Sequence, residues 1–378
     1  MTRRVVALGA LVAIAVLLVA ETSDSPATTR AAFPGANGKI AFVSDRDDPQ
    51  SDIYLTNANG GDVTRITPDA PPVGFRTIDS KPAWSPHGEW IAFISDRATG
   101  GGVFVMNVDG GDFESVGVAY ADSPSWSPDG TRIILSSSWA AMGVPYTTDL
   151  FVWDLGAASY VRIVSPDHEL EPAWSPDGGS IAFVGVDLEG SIFVEAEIYI
   201  TDEQGQGRTN VSNSVGVDRA PDWAPDGSRI AFSSNRDGDH DIYVMNADGS
   251  NVEQLTDSSG YDSSPAWSPD GNYLAFTTDR DGNQEVYVMD ANGDNQRNLT
   301  NNPASDYEPS WQPVLAGDVN CAGGVNAVDV LLILQLVAGR IDALACQERA
   351  DVNGNGRVDS IDAALVLQYD AGLIESLA

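Results

Sequence analysis

One phrase recurs through the chain at near-constant spacing: Trp84-Ser-Pro-His-Gly88, Trp126-Ser-Pro-Asp-Gly130, Trp174-Ser-Pro-Asp-Gly178, Trp223-Ala-Pro-Asp-Gly227 and Trp267-Ser-Pro-Asp-Gly271, then a truncated Trp311-Gln-Pro313. Successive tryptophans stand 42, 48, 49, 44 and 44 residues apart. Such a period belongs to architectures in which each repeat buries its apolar surface only against its neighbours. The residues after each phrase decide between helical and β units. Ser-Pro-Asp-Gly has Pro at the second and Gly at the fourth position of a type I turn, which predicts a hairpin tip. Next comes a segment apolar on both sides, as in Ile40-Ala-Phe42, Ile91-Ala-Phe93, Ile230-Ala-Phe232 and Leu274-Ala-Phe276. A strand without a polar face belongs to a sheet covered on both sides. A short sheet sandwiched between two others like it is a propeller blade.

Each unit continues with a third strand, for example Ile53-Tyr-Leu55, Val103-Phe-Val105, Leu150-Phe-Val152, Ile198-Tyr-Ile200, Ile242-Tyr-Val244 and Val286-Tyr-Val288. Turns come after it at Asn59-Gly60, Asp109-Gly110, Asp248-Gly249 and Asn292-Gly293. A short fourth strand is predicted to end at Ile66-Thr67, Leu255-Thr256 and Leu299-Thr300. Two residues before each tryptophan stands a proline: Pro82, Pro124, Pro172, Pro221, Pro265 and Pro309. Proline cannot donate to a ladder, so this strand is predicted to be the inner edge of each blade, lining a central channel. Six units of second, third and fourth strands begin at Lys39, the first lacking an inner strand, whereas Tyr307 to Gln312 is an inner strand without a blade. Pairing it beside Ile40 to Val43 leaves no long unpaired edge. The fold class is therefore mainly β, a six-bladed β-propeller closed by a C-terminal clasp.

These residues resemble the TolB-like propellers built of PD40 (WD40-like) repeats, whose signature is the Trp-Ser-Pro-Asp-Gly phrase with Ile-Ala-Phe and Ile-Tyr-Val-Met strands. The resemblance covers about residues 33–314 and implies fold more than activity, since this fold hosts binding proteins, protease-associated domains and lyases alike. Charge narrows the partners. With 55 Asp plus Glu against 20 Lys plus Arg, the formal net charge is −35. Phosphate backbones and anionic lipid surfaces repel such a chain, which excludes nucleic acid as the default partner.

The first 27 residues read as an export signal. Arg3 and Arg4 precede an uninterrupted apolar run from Val5 to Ala20, and a polar stretch comes next. That run is short for a membrane span, which needs about 20 residues, and suits a signal peptide. Cleavage falls near Ala20 or Ala27, leaving no membrane span; a retained N-terminal anchor is the alternative. The protein is expected to be secreted or held at the cell surface, or periplasmic in a bacterium with two membranes.

Two copies of one twelve-residue loop lie 33 residues apart within 317–378. Asp318, Asn320, Asn326 and Asp329 supply side-chain oxygens in the first, and Asp351, Asn353, Asn355, Asp359 and Asp362 in the second, at positions 1, 3, 5, 9 and 12. Gly323 and Gly356 fill position 6 for the sharp turn, and Gly324 and Arg357 would offer the backbone carbonyl of position 7. This is the donor set of a hard cation, so calcium is expected at two sites. Position 5 of the first loop is Ala322, which makes the second site the stronger. An apolar helix is predicted after each loop, Val330 to Ala338 ended by Gly339 and Ala363 to Ala371 ended by Gly372. The loop-helix pair resembles a type I dockerin, a small α-helical module of EF-hand-type loops that docks onto cohesins. The resemblance implies a cohesin-like partner, contacted at loop positions 10 and 11, here Ala327, Val328, Ser360 and Ile361. In an exported chain Cys321 and Cys346 are expected to pair, closing that segment, with two free thiols as the alternative.

Asp79, Glu169, Asp218, Asp262 and Asp306 stand five residues before their tryptophans, and Asp122 four before. They are candidates for a carboxylate ring at one channel mouth, able to hold a cation, a sugar or a basic peptide; the bland alternative is that they cap turns. Asp237-Gly-Asp239-His-Asp241 and Asp279-Arg-Asp281-Gly282 look calcium-like but read as polar hairpin tips. Catalysis finds little support: His87, His168 and His240 fall in different blades, and no nucleophile elbow or HExxH stretch occurs. The reading is an exported, non-catalytic binding protein whose propeller presents a surface to a protein, peptide or glycan and whose C-terminal module attaches it. The alternative is an enzyme of polysaccharide breakdown, a glycoside hydrolase or lyase using channel carboxylates.

Overall fold

The computed structural model describes residues 36–314 except 48–49, 69–76, 98–100, 109–112, 139–147, 164–167 and 190–191, and then 317, 319, 325, 327–344, 349–352, 357–370 and 377. The export segment, the Asp109-Gly110 turn and both cysteines lie outside these residues.

Six four-stranded antiparallel sheets are present among the described residues. In blade 2 the order from the channel outward is Asp79–Trp84, Trp90–Ser95, Gly102–Asn107 and Phe113–Ala119. The inner strands of blades 3 to 6 are Ala121–Trp126, His168–Trp174, Asp218–Trp223 and Ser263–Trp267. Blade 1 combines both ends of the ring. Its inner strand is Asp306–Val314, paired to Ala36–Ser44 with Trp311 opposite Ile40 and Tyr307 opposite Val43. The proline-bearing strand is thus the inner edge throughout, and the ring closes as its unmatched last strand requires.

Alternate residues of each second strand face opposite neighbours, which is why neither face is polar. Ile40 and Phe42 pack with Ala275, Val286 and Val288 of blade 6. Ala41 packs with Trp84, Ile91 and Phe93 of blade 2. These contacts lie between blades, so no blade has a core of its own. The phrase forms the expected turn: the Gly88, Gly130, Gly178, Gly227 and Gly271 N–H groups donate to the carbonyls of residues 85, 127, 175, 224 and 268 at 2.8 to 3.0 Å. Each glycine has φ near +70°, the left-handed conformation open to a residue without Cβ. The fourth strands Thr64–Arg65, Glu253–Gln254 and Arg297–Asn298 end one residue short of Ile66, Leu255 and Leu299, whose N–H groups still bond to strand-three carbonyls at 2.8 to 2.9 Å.

In the C-terminal module, helix α1 spans Ala327–Val337 and α2 spans Ser360–Asp370. Both begin three residues before the apolar run, because Asp329 and Asp362 sit in the first turn, where carboxylates favour the helix dipole. Asp359 caps α2, its Oδ1 accepting from Ile361 N at 2.7 Å. Gly339 ends α1 with φ +61°, and Arg340 N reaches back to Gln335 O at 2.8 Å. Val319, Ile333, Ala350, Val352, Ala363 and Val366 form its core. Among the described residues no helix is long and apolar enough to cross a membrane.

Candidate functional site

The channel is built by a bulge. Ser80 pairs with Ile94 but Ala83 with Ala92, so the inner strand carries one extra residue, and the same shift recurs in the other five blades. The residue three before each tryptophan takes up the excess. Lys81, Ser123, Glu171, Ala220, Ser264 and Glu308 all have φ between +49° and +53°, a strained state of roughly 1–3 kcal/mol each for residues other than Gly. Six repeats of the strain show that packing between blades imposes it. Its effect is to aim these side chains into the channel. The residues one before each tryptophan, among them Asp222, Ala266 and Ser310, form a second level, and the whole encloses a cavity of about 300 Å³. The tryptophan rings behind are 3% to 8% exposed.

Channel polar groups bridge all six blade boundaries. From blade 1, Glu308 Oε2 accepts from Lys81 N at 2.8 Å. Lys81 Nζ donates to Asp122 Oδ2 at 3.0 Å and to Ser123 Oγ at 2.9 Å. Ser125 Oγ accepts from Trp174 N at 3.1 Å. Glu171 accepts from Ala220 N at 2.8 Å and from Arg219 Nη1 at 3.2 Å. Asp222 Oδ2 accepts from Trp267 N at 2.7 Å, and Thr277 Oγ1 accepts from Glu308 N at 3.0 Å. Burial works against the charge of Lys81, but Asp122, Glu308 and Glu171 outweigh it and hold the ammonium above its ordinary range. Burial pushes the Glu308 carboxyl up, with Lys81 opposing. Asp222 lines the channel; with no cation beside it, burial pushes its carboxyl up to about 7.

The carboxylates expected to ring the mouth are placed differently. Asp79, Asp218, Asp262 and Asp306 are 0% exposed and Glu169 is 2% exposed. Each meets an arginine: Arg97 at 2.5 Å, Arg236 at 3.1 Å, Arg280 at 2.8 Å, Arg46 at 2.8 Å and, for Glu169, Arg208 at 3.5 Å. Only Asp122, its side chain 48% exposed, stands open, and it holds Lys81. The arginines lie over blade aromatics, as Arg46 over Phe42 and Tyr54 at 5.1 and 4.9 Å. The arrangement therefore locks inner strands to their blades and leaves no free anionic ring.

A sequence signal for this existed. Ser44-Asp-Arg46, Ser95-Asp-Arg97, Ser234-Asn-Arg236 and Thr278-Asp-Arg280 repeat after the second strand. The hydroxyl accepts from the arginine Nε at 2.8 to 3.0 Å. The middle residue caps the start of the inner strand of its own blade: Asp45, Asp96, Asn235 and Asp279 accept from Ser305, Ile78, Val217 and Tyr261 N at 2.7 to 2.9 Å. Blade 3 lacks both partners, having Ala121 in the carboxylate position and Ser137-Ser-Trp139 in place of the phrase. The calcium-like tips are equally engaged, with Asp237 accepting from Tyr243 OH at 2.8 Å and Asp281 from Tyr287 OH. Among the described residues no histidine lines the cavity.

Of the expected calcium ligands, Asp318, Asn320, Gly324, Asn326, Asn353 and Asn355 lie outside the described residues. Asp329, Asp351, Arg357, Asp359 and Asp362 are described. Asp329 and Asp362 are 0% exposed beside an apolar core. Asp329 Oδ1 accepts from Val319 N at 3.0 Å, and Asp362 Oδ2 from Asp359 N at 2.8 Å. Carboxylates are sunk this deeply when they are paired or coordinate a metal, so the oxygen-only donor set fits calcium. Ala327, Val328, Ser360 and Ile361 are exposed on the first turns of α1 and α2. The apolar runs do not by themselves show which side chains stay outside the core: Leu331, Leu334 and Leu367 are 43% to 54% exposed, adding apolar surface to that of Val328 and Ile361.

The sequence profile of the TolB beta propeller domain matches residues 18–144 and 141–318, and that of the type I dockerin domain matches 316–369. The dockerin match implies calcium binding and a cohesin partner. A TolB homolog of Chlorobium chlorochromatii is 31% identical over 214 residues, 54% of this chain and 42% of that protein. The Tol-Pal system protein TolB of Alcanivorax borkumensis is 41% identical over 69 residues, 18% of this chain and 15% of that protein. The chain thus spans less than half the length of both relatives. The crystal structure of TolB from Acinetobacter baumannii superposes with a TM-score of 0.62 at 22% identity, over 73% of this chain and 67% of that one, a likeness of fold.

Proposed function

The chain belongs to the TolB beta propeller family, and from that premise we propose that it is an exported, non-catalytic binding protein whose propeller presents a ligand or partner surface and whose C-terminal module attaches it to a cohesin-like protein in a calcium-dependent manner. Attachment raises the effective concentration of whatever the propeller holds. The observation that carries the reading is the C-terminal module: buried Asp329 and Asp362 at equivalent loop positions, with exposed apolar Val328 and Ile361 beside them. Both calcium loops would fill, the second more tightly, and the outward apolar strips would supply the contact area. The protein would work outside the cytoplasm, secreted, at the cell surface or in a periplasm.

The alternative of a glycoside hydrolase or lyase gains nothing from the propeller, whose candidate carboxylates Asp218 and Asp262 are covered by Arg236 and Arg280. The test is retention of the full-length protein on immobilised cohesin modules with calcium and with EGTA. Retention released by the chelator supports the reading. No retention under calcium removes the docking role, and polysaccharide turnover lost in Asp218→Asn and Asp262→Asn variants would replace it with the enzymatic one.

A further inference from the structure

Inner strands three blades apart resemble each other, so a pseudo-twofold pattern runs through the ring. At the bulge, blades 1, 2 and 3 carry Glu308, Lys81 and Ser123, and blades 4, 5 and 6 carry Glu171, Ala220 and Ser264. The first and third positions match. Their bonds match as well: Glu308 Oε2 accepts from Lys81 N at 2.8 Å, and Glu171 Oε2 accepts from Ala220 N at 2.8 Å. The backbones of Lys81 and Ala220 agree, at φ +52° and +51°. At this level the halves differ by the lysine side chain. One level deeper the same two blades differ again, with Ala83 in blade 2 and Asp222 in blade 5.

The half with the lysine shows what such a position receives. Lys81 Nζ donates to Ser123 Oγ at 2.9 Å and to Asp122 at 3.0 Å. Neighbouring carboxylates hold that ammonium above its ordinary range against the effect of burial, so the field in the channel favours a cation. In the other half Ala220 ends at its Cβ, between Glu171 and Ser264. Asp222 is the carboxylate on that side, as Asp122 is for Lys81. It accepts from the backbone N–H groups of Trp267 and Trp223 and meets no cationic side chain, although buried carboxylates are normally paired. The balance of charge points the same way. Glu171, Asp222 and Glu308 line the cavity against Lys81 alone, and counting Asp122 and Arg219, which pair with Lys81 and Glu171, leaves four carboxylates against two cations.

We propose that the side of the channel formed by blades 5 and 6 binds a primary alkylammonium group, seated by Asp222 and Ser264 as the Lys81 ammonium is seated by Asp122 and Ser123. The inference rests on the reading of the propeller as a binding domain and names the chemistry it selects. The three donors of an ammonium suit a carboxylate and a serine hydroxyl, and its alkyl stem suits the Pro265 and Ala266 surface beside them. A cavity of about 300 Å³ lies at the small end of ligand pockets, roughly 300–1,000 Å³, which fits a short unbranched amine, either a free diamine or the lysine side chain of a partner. An anionic ligand would meet Glu171, Asp222 and Glu308, and a neutral one would leave Asp222 without a cation. Among the described residues no group of three His, Cys, Asp or Glu side chains is placed to hold a metal ion.

The test is calorimetric titration of the full-length protein with cadaverine and with an end-blocked Gly-Lys-Gly tripeptide, against cellobiose and succinate as neutral and anionic rivals. Excess calcium is present throughout, so that metal has first claim on any acidic site. At least one of the amines is expected to bind; tighter binding of the tripeptide assigns the source to a partner's lysine, and tighter binding of cadaverine to a free diamine. Asp222→Asn keeps an acceptor for Trp267 N and should weaken binding at least about tenfold, as loss of one charge of a buried pair does. Ala220→Lys is the second probe. Position 81 already carries lysine in the same left-handed backbone, so this variant should keep the propeller melting transition, supply the ammonium from within and abolish uptake of both amines. Binding of neither amine, binding indifferent to both variants, or preference for cellobiose or succinate overturns the inference. Calcium-dependent retention on cohesin in the same preparation reads the scaffold role separately, so failure of one is distinguishable from failure of the other.

Discussion

Replacing Arg46 with alanine tests how the ring is held shut. Arg46 follows the first strand of the ring and its Nη2 lies 2.8 Å from Asp306 Oδ2 on the last. Asp306 is 0% exposed, and the Arg46 side chain is 15% exposed. Burial already raises the Asp306 carboxyl, while hydrogen bonds from Ser44 and Arg46 and the Arg46 charge pull it back. Arg46→Ala leaves a buried carboxylate without its cation, which costs about 3–5 kcal/mol. At this size that corresponds to a loss of roughly 6–20 °C in the propeller transition, at about 2–4 °C per kcal/mol. The direction with pH comes from linkage. A carboxyl whose folded pKa lies above its unfolded one binds the proton more tightly when folded, so its burden on stability is relieved as pH falls. Without Arg46 the carboxyl rises further, and the penalty should shrink between neutral pH and mildly acidic pH. Arg46→Ala with Asp306→Asn should recover part of the loss. Scanning calorimetry of the three proteins across that range is the assay. A penalty below about 1 kcal/mol, or one equal at all pH values, would refute the account of Asp306 as a buried charge held by its arginine.

Other contacts set four further outcomes. Gly88→Ala should destabilise well beyond Gly227→Ala in thermal melts: both glycines have φ near +70°, but a Cβ at Gly88 would stand 2.1 Å from Pro313 O, whereas at Gly227 the nearest atom is 4.0 Å away. The second change should cost about 1–2 kcal/mol for its left-handed backbone alone. Asp222→Asn keeps an acceptor for Trp267 N and removes a carboxyl held up at about 7. Because the unfolded carboxyl ionises first, wild-type stability should fall as pH rises from about 4 to about 7 and then level off, and denaturant titrations of the variant should lack that loss. Val328→Asp with Ile361→Asp should abolish cohesin retention and leave calcium uptake unchanged, since both side chains are over half exposed. Asp362→Ala should remove the tighter calcium site and lower the melting temperature of the C-terminal module without moving the propeller transition, read by circular dichroism.

Much of the architecture was legible because it is written in residues with narrow backbone options. Proline before each tryptophan marks the inner edge, and the turn glycines punctuate the hairpins. The surplus strand at Trp311 specifies the closure. In the C-terminal module chemistry and spacing single out Asp329 and Asp362, and the structure buries both. The carboxylates before each tryptophan were visible as a row, but their partners are set by a phrase 15 or more residues away in most blades and by Arg208 in blade 4, a pairing that only the fold reveals. The channel lining was harder still. Lys81, Ser123, Glu171, Ala220, Ser264 and Glu308 span four residue types; what all six share is a left-handed bulge. The helices begin a turn earlier than their apolar runs because Asp329 and Asp362 suit a helix N-terminus, and this places Val328 and Ile361 on helix surface.

The proposed attachment role depends most on divalent metal shaping the C-terminal module. Calcium titration of the full-length protein by isothermal calorimetry, repeated with Asp329→Ala and Asp362→Ala, addresses this directly. Two uptake events are expected, the tighter lost with Asp362 and the weaker with Asp329, and chelation should lower the helical signal of α1 and α2. Absence of calcium heat, with a helical signal indifferent to EGTA, would contradict the account and leave only the ring.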